Sequence, residues 1–215
     1  MKKYWQIHWH DSIDSTNLEA ERWLRSGSET DLDILSVIAA RWQYAGRGQG
    51  DRKWHSAAGM NLTFTVVERF GDEGPDAGEQ SRASWATALA IVDYLASYGV
   101  EARIKLPNDI YVGDRKICGM LIQHHIRGRR LTDSIIGIGL DLNETAFPEE
   151  LPNPTSLLLE TAGDRDGLPY MPEEELEKLM EILSSRLDLS VSLSALEREF
   201  AGRLYTGRPT TLVEA

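Results

Sequence analysis

Residues 103–142 read RIKLPNDIYVGDRKICGMLIQHHIRGRRLTDSIIGIGLDL, and this stretch decides the fold. Short runs of aliphatic and β-branched residues alternate in it with turn sequences, which is typical of strands joined in hairpins. A first tight turn is predicted at Gly113-Asp114 and a second at Arg127-Gly128-Arg129-Arg130. The predicted strands are Arg103–Leu106, Ile110–Val112, Lys116–Ile126 and Ser134–Leu142. Neighbouring strands with short connections indicate a largely antiparallel sheet.

On either side of this stretch, the chain supplies more strands and the helices that cover the sheet. A helix is predicted after Asp14-Ser15-Thr16-Asn17, where Thr16 and Glu19 fit a capping box. The other predicted elements are strands at Tyr4–His10, Leu35–Ala40 and Asn61–Val67, and helices at Ser81–Tyr98, from Pro172 onward, and more weakly at Ser194–Leu204. The fold class is therefore α+β, a mostly antiparallel mixed sheet flanked by helices.

The composition excludes several classes of protein. The chain has 215 residues, of which 41% are hydrophobic, enough for a full core and too many for a disordered chain. No apolar run approaches the ~20 residues of a membrane helix, and Met1 opens directly into a charged, aromatic segment. We therefore expect a soluble protein with no secretory signal and no membrane partner. The lone Cys118 cannot form an internal disulfide, which favours a reducing, cytoplasmic location.

The charge distribution points to a small anionic ligand. The net charge is -11, so the protein as a whole repels phosphate backbones, and we expect no DNA binding. Against this background, residues 41–55 contain Arg41, Arg47, Arg52 and Lys53 but only one acidic side chain, Asp51.

The same region contains a glycine-rich loop, Ala45 to Trp54. Alternating glycines expose backbone N–H groups beside fixed positive charges, and such a loop can wrap an anion. The loop is neither a Walker A motif nor a dinucleotide fingerprint, because no Gly-Lys-Ser/Thr follows and no helix opens there. A mobile surface connection is the alternative. Trp54 ends the loop, where its indole could close over a flat apolar ligand.

Three other features have a functional and an ordinary structural interpretation. Lys105 to Asp109 places a lysine and an amide at a strand end, or forms a solvated turn. Gly137 and Gly139 clear one face of a strand for a ligand or for a packed helix, and packing is favoured. His8 and His10 share a strand face but have no evident third metal ligand, so no metal site is assigned.

Five segments, taken in order, resemble the biotin protein ligases. They are Asp14 to Asn17, Gln43 to Gly48 with Arg52 to Trp54, Lys105 to Asp109, Arg115 to Gly119, and Gly137 to Asn143. The resemblance implies a catalytic domain over residues 1–190, with a fold akin to class II aminoacyl-tRNA synthetases and lipoate ligases. It also implies a two-step reaction. Biotin and ATP, with Mg²⁺ expected, give biotinyl-5′-AMP and pyrophosphate, and a lysine of a biotin carboxyl carrier protein then takes the biotin.

The resemblance also assigns residues. Lys105 and Arg47 would be catalytic. The biotin-binding set would be Ser15, Thr16, Asn17, Gln43, Gly46, Arg47, Gly48, Gln49, Trp54, Lys105 and Gly119. The ATP- and adenylate-binding set would be Arg52, Asn108, Lys116 and Asn143.

The chain departs from the family pattern at several places. The loop has Gln49, Gly50 and Asp51 where family members often carry arginines, and Leu106 replaces a tryptophan. Residues 191–215 are expected to form a helix and the start of a truncated or absent SH3-like domain, and no helix-turn-helix is expected before residue 4. A lipoate or octanoate ligase and a non-catalytic biotin-binding module are the alternative functions, and a homodimer is left open.

Overall fold

The computed structural model describes residues 3–27, 31–162 and 167–207, and within these ranges seven strands form one mixed sheet. The order across the sheet is β1-β2-β3-β7-β6-β5-β4. The strands are β1 (Tyr4–His10), β2 (Ile34–Ala40), β3 (Leu62–Arg69), β4 (Ala102–Lys105), β5 (Asp109–Val112), β6 (Arg115–Arg127) and β7 (Arg130–Leu140). Every neighbouring pair is antiparallel except β1 and β2, which are parallel. The expected fold class and both predicted hairpins are confirmed.

Helices cover the two faces of the sheet unequally. They are α1 (Thr16–Ser26), α2 (Ser81–Ala96), α3 (Leu157–Glu160), α4 (Pro172–Arg186) and α5 (Leu193–Gly202), with short 3₁₀ turns at Gly71–Glu73 and Ala77–Glu79. Helices α2, α4 and α5 share the main hydrophobic core with one face, to which β7 contributes Ile136 and Ile138. Helix α1 packs on the other face through Ala20, near Ile135 of β7. A single short helix leaves part of this second face open for a site.

The start of α1 differs from the predicted capping box. Ser15, with extended backbone (φ -157°), is the N-cap residue, and its side chain makes no capping hydrogen bond. Thr16 is the first helical residue. Its hydroxyl is engaged by tertiary partners, Gln43 and Thr65, rather than by the helix backbone. The capping-box prediction was therefore wrong because contacts distant in sequence take the hydroxyl.

The C-terminal helix packs on the same core as the rest of the chain. Leu196 and Phe200 of α5 belong to the main core, and the rings of Phe200 and Trp85 are 5.6 Å apart. The Ile104 backbone N–H donates to the Arg203 carbonyl at 2.9 Å. The domain division at residue 190 stays a prediction, and the predicted start of an SH3-like domain extends into residues 208–215, which lie outside the described residues. No helix in the described ranges is long and apolar enough to cross a membrane.

Candidate active site

A cavity of about 410 Å³ lies on the open face of the sheet, beside the first turn of α1 and under the glycine-rich loop. It brings together most of the residues that the sequence singles out. Those that line it are Ser15, Thr16, Asn17, Gln43, Arg47, Gly48, Gln49, Arg52, Trp54, Lys105, Asn108, Lys116 and Gly119.

One end of the cavity is built from uncharged polar groups that hold one another in place. Gln43 accepts hydrogen bonds from the backbone N–H and the hydroxyl of Thr16, at 2.7 and 3.1 Å. The Thr65 hydroxyl lies 2.8 Å from that of Thr16 and donates to Asn17 Oδ1 at 2.7 Å. Asn17 donates to the carbonyl of Leu121 at 3.1 Å. Because each group has a fixed partner, this end is a preorganised set of hydrogen-bonding groups.

The glycines of β7 make room for two protein side chains. A Cβ atom on Gly137 would lie 2.1 Å from Asn17 Oδ1, and one on Gly139 would lie 2.3 Å from the Trp54 indole. The indole also covers Gly119 on β6, where an added Cβ would lie 2.9 Å from the ring. Packing was the favoured explanation for the alternating glycines. The packing partners are an amide of α1 and an indole of the loop, so the same glycines also shape the cavity.

Two lysines define the other end of the cavity. Lys116 on β6 forms an ion pair with Asp109 at 2.6 Å and lies 5.4 Å from the centre of the Trp54 ring system. Lys105, at the end of β4, donates to the Tyr111 hydroxyl at 3.2 Å and lies over that ring. Asn108 donates to the Met120 carbonyl at 2.6 Å. The two lysines therefore lie with Asn108 at one end of the cavity, and Thr16, Asn17 and Gln43 lie at the other.

A buried carboxylate lies near Lys116. Asp141 follows β7, is 5% exposed, and lines the cavity. Within the part of the chain that the structure describes, no group donates a hydrogen bond to its carboxylate. Burial raises its pKa well above the usual range, the neighbouring Glu144 raises it further, and Lys116 lowers it.

The loop over the cavity folds back on itself. The Gly48 N–H donates to the Arg52 carbonyl at 2.8 Å, and the Trp54 N–H donates to the Gly46 carbonyl at 3.0 Å. A Cβ on Gly46 would lie 2.7 Å from the Trp54 carbonyl, so Gly46 allows the two ends of the loop to meet. This hairpin-like closure directs Arg47 and Arg52 to the cavity.

Comparisons with known proteins agree with this geometry. A family model described as the biotin/lipoate A/B protein ligase family matches residues 9–141, well over half of the chain. The chain belongs to this family. It is 31% identical over 177 residues to the bifunctional ligase/repressor BirA of Escherichia coli, covering 79% of the chain and 52% of BirA. It is 37% identical over 134 residues to a biotin–[acetyl-CoA-carboxylase] ligase of Paracoccus denitrificans, covering 60% and 51%.

The fold of this family member also matches solved structures. A biotin protein ligase from Aquifex aeolicus in complex with biotin and ATP superposes with a TM-score of 0.72 at 22% identity, over 93% of this chain and 78% of that one. At this identity the likeness establishes the fold. The chain spans about half the length of the curated relatives it matches.

Two predicted site residues of this family member do not line the cavity. Gly46 serves the closure of the loop. Asn143 is 3% exposed, donates to the Tyr170 carbonyl at 2.9 Å, and accepts from the Tyr170 N–H at 2.7 Å. Its amide therefore joins two segments of the fold, and the placement of Asn143 at the nucleotide stays a prediction.

Several residues that line the cavity were not predicted from the sequence. Asp141 and Asp109 lie within two of the family motifs, but their motifs predict no role for them. One wall of the cavity comes from the segment between residues 147 and 154, which contributes Phe147, Leu151, Pro152 and Pro154 and is bridged to β6 through Lys116 and Pro154. His55 extends the loop by one residue beyond Trp54. The three prolines between residues 148 and 154 were the available signal, since a rigid loop can form a wall.

Proposed function

We propose that this protein is an ATP-dependent biotin protein ligase, acting as a biotin–[acetyl-CoA carboxylase carrier protein] ligase. It would activate biotin to biotinyl-5′-AMP with release of pyrophosphate and then transfer biotin to a lysine of a biotin carboxyl carrier protein. The observation that carries this proposal is the polarity of the cavity. A set of uncharged hydrogen-bonding groups lies at one end, and Lys105 and Lys116 lie at the other.

The uncharged end suits the ureido ring of biotin. A ureido group has two N–H donors and a carbonyl acceptor, and neutral hydroxyl and amide groups can pair with all three. Ser15, Thr16, Asn17 and Gln43 supply such groups. Because the hydrogen bonds of Thr16 and Asn17 to Gln43 and Thr65 are already formed, little ordering is needed when the ligand binds.

The cationic end suits attack of a carboxylate on an α-phosphate. Both reactants are anions, so bringing them together requires fixed positive charge. These cations stabilise the transition state more than the ground state, because negative charge develops there on the reacting oxygens. Lys105 would face the biotin carboxylate and the α-phosphate, while Lys116, Arg52 and Asn108 would face the nucleotide. The Asp109–Lys116 pair keeps the ammonium group of Lys116 oriented before the substrates arrive.

The loop from Gly46 to Trp54 would cover the adenylate and keep water away from its mixed anhydride. Arg47 would then hold the adenylate, and the Trp54 indole would pack against its apolar part. The Trp54 indole N–H is buried against Gly139 and has no hydrogen-bond partner among the described residues.

Mg²⁺ is expected to accompany ATP. Among the described residues, no group of three or more His, Cys, Asp or Glu side chains could hold a metal ion. Mg²⁺ usually retains waters and binds substrate phosphates with few protein ligands, so the ion would depend on ATP oxygens. The carrier protein as partner, the cytoplasmic location and the absence of DNA binding stay predictions, and a homodimer stays open.

The test is a pyrophosphate exchange assay run in parallel with biotin, lipoate and octanoate. We expect exchange that depends on biotin. Exchange with lipoate or octanoate alone would assign the protein to the alternative ligase class, which needs a channel for a flexible acyl chain. Biotin binding without any exchange would identify a non-catalytic module.

A further inference from the structure

The loop over the cavity is held at two ends, and a different element holds each end. At its start, Tyr44 and Ala45 donate backbone hydrogen bonds to the carbonyls of Ile13 and Asp14, at 3.0 and 2.9 Å. At its end, the chain passes from Trp54 through His55 and Ala57, above the side chain of Glu144. The loop is thus attached at its start to the segment before α1 and at its end to the segment after β7.

Glu144 is a buried carboxylate, 3% exposed, with three partners from the segment that follows the loop. Its Oε1 lies 3.0 Å from His55 Nε2. Its Oε2 accepts from the Ala57 backbone N–H at 3.2 Å and from Asn61 Nδ2 at 2.5 Å. Asn61 in turn accepts from the Leu142 N–H at 2.9 Å, so these bonds join the end of the loop to the end of β7.

We infer that Glu144 is a positioning residue, which fixes the C-terminal end of the loop so that Trp54 and the loop arginines stay over the bound adenylate. This inference rests on the proposed function. Glu144 does not line the cavity, so it would act through the loop rather than through the ligand. Two other backbone bonds, Gly59 N–H to the Arg41 carbonyl and Asn143 N–H to the Met60 carbonyl, hold the chain further from Trp54. Among the described contacts that hold the chain after the loop, those of Glu144 begin nearest in sequence to Trp54, at His55.

Two substitutions of Glu144 distinguish the role of its acceptor oxygens from the role of its negative charge. One oxygen, Oε2, accepts both the Ala57 N–H and the Asn61 amide. In Glu144→Gln, the remaining carbonyl oxygen can take that place, while the new NH₂ group faces the His55 ring, whose other tautomer can accept. In Glu144→Ala all three bonds are lost, so the half-buried Ala57 N–H loses its acceptor, and the buried Asn61 amide keeps only the Ser56 hydroxyl as an acceptor.

The test compares Glu144→Ala and Glu144→Gln with a matched control, Glu175→Ala. Glu175 is also 3% exposed and has three donors, Tyr94, Tyr98 and Lys178, but it lies between α2 and α4, away from the loop. Each variant is loaded with biotin and ATP, and the release of biotinyl-adenylate is followed after dilution. Amide hydrogen exchange at Ala57 is measured on the same proteins without ligand.

We expect Glu144→Ala to release the adenylate at least ~10-fold faster than the wild type and to exchange the Ala57 amide faster. Glu144→Gln should stay within about threefold of the wild type in release. Glu175→Ala should lower thermal stability without changing release.

The inference is overturned if Glu144→Ala retains the adenylate as the wild type does, if Glu144→Gln leaks as much as Glu144→Ala, or if Glu175→Ala leaks equally. Glu144→Asp, one methylene shorter, replaces the alanine variant if that variant does not fold, and it should leak as well. If the wild type forms no adenylate, the proposed function fails. In that case, wild-type amide exchange at Ala57 in Glu144→Ala would refute the anchoring role of Glu144 independently.

Discussion

Gly137→Ala is a sharp test of how the sheet face and α1 build the uncharged end of the cavity. The new methyl carbon would lie 2.1 Å from Asn17 Oδ1 and 2.8 Å from its Cγ, so the amide must move by more than an ångström. That movement breaks the bonds of Asn17 with Thr65 and Leu121. Two lost hydrogen bonds cost about 2 kcal/mol and overpacking adds about 1–3 kcal/mol, so the free energy of unfolding should fall by about 3–5 kcal/mol.

Urea unfolding measures this loss, and calorimetry measures the accompanying change in biotin affinity. We expect biotin to bind at least ~10-fold more weakly, because Asn17 no longer holds its position. Gly202→Ala is the matched control, since a Cβ at Gly202, in the last turn of α5, meets nothing within 4 Å. Wild-type stability together with wild-type biotin affinity in Gly137→Ala would refute the packing of Asn17 against β7.

Three further predictions concern the charged groups and the loop. Lys105→Ala should lower biotin-dependent pyrophosphate exchange by at least ~10²-fold while changing biotin affinity less. Exchange at the wild-type rate in this variant would show that Lys105 is only a solvated turn residue. Asp141→Asn should unfold at a higher temperature than the wild type at neutral pH. Burial raises the pKa of Asp141 in the folded state, so the cost of ionising it grows as the pH rises above the unfolded pKa of about 3.9. The advantage of Asp141→Asn should therefore vanish in melts below pH ~4, and a constant difference at all pH values would contradict this. Amide exchange over residues 46–54 should slow when biotin and ATP are added, and equal exchange with and without them would argue against a covering loop.

The strands and their hairpins could be predicted because the information is local. Gly113-Asp114 and the Arg127–Arg130 turn each lie between two apolar runs, and both hairpins form where expected. The parallel pairing of β1 with β2 was not predicted, because it depends on how α1 returns the chain across the sheet.

The site was predictable where a motif lies at the end of an element, and less so where distant segments meet. Lys105 and Asn108 come together with Lys116 through the short β4–β6 meander. Asn143 looks like a ligand residue in its motif, but its partner is Tyr170, 27 residues away. The alternating glycines indicated a close neighbour without identifying it, since Asn17 and Trp54 are over 80 residues away in sequence.

The transfer of biotin to a carrier lysine is the defining step of the proposed reaction and can be measured directly. The purified protein is incubated with biotin, ATP, Mg²⁺ and a biotin carboxyl carrier domain, and the intact mass of the carrier domain is measured. The ligase account predicts the addition of one biotin to one lysine, dependent on ATP and strongly reduced in Lys105→Ala. An unmodified carrier domain, in a mixture where the wild type is folded and binds biotin, would contradict the account.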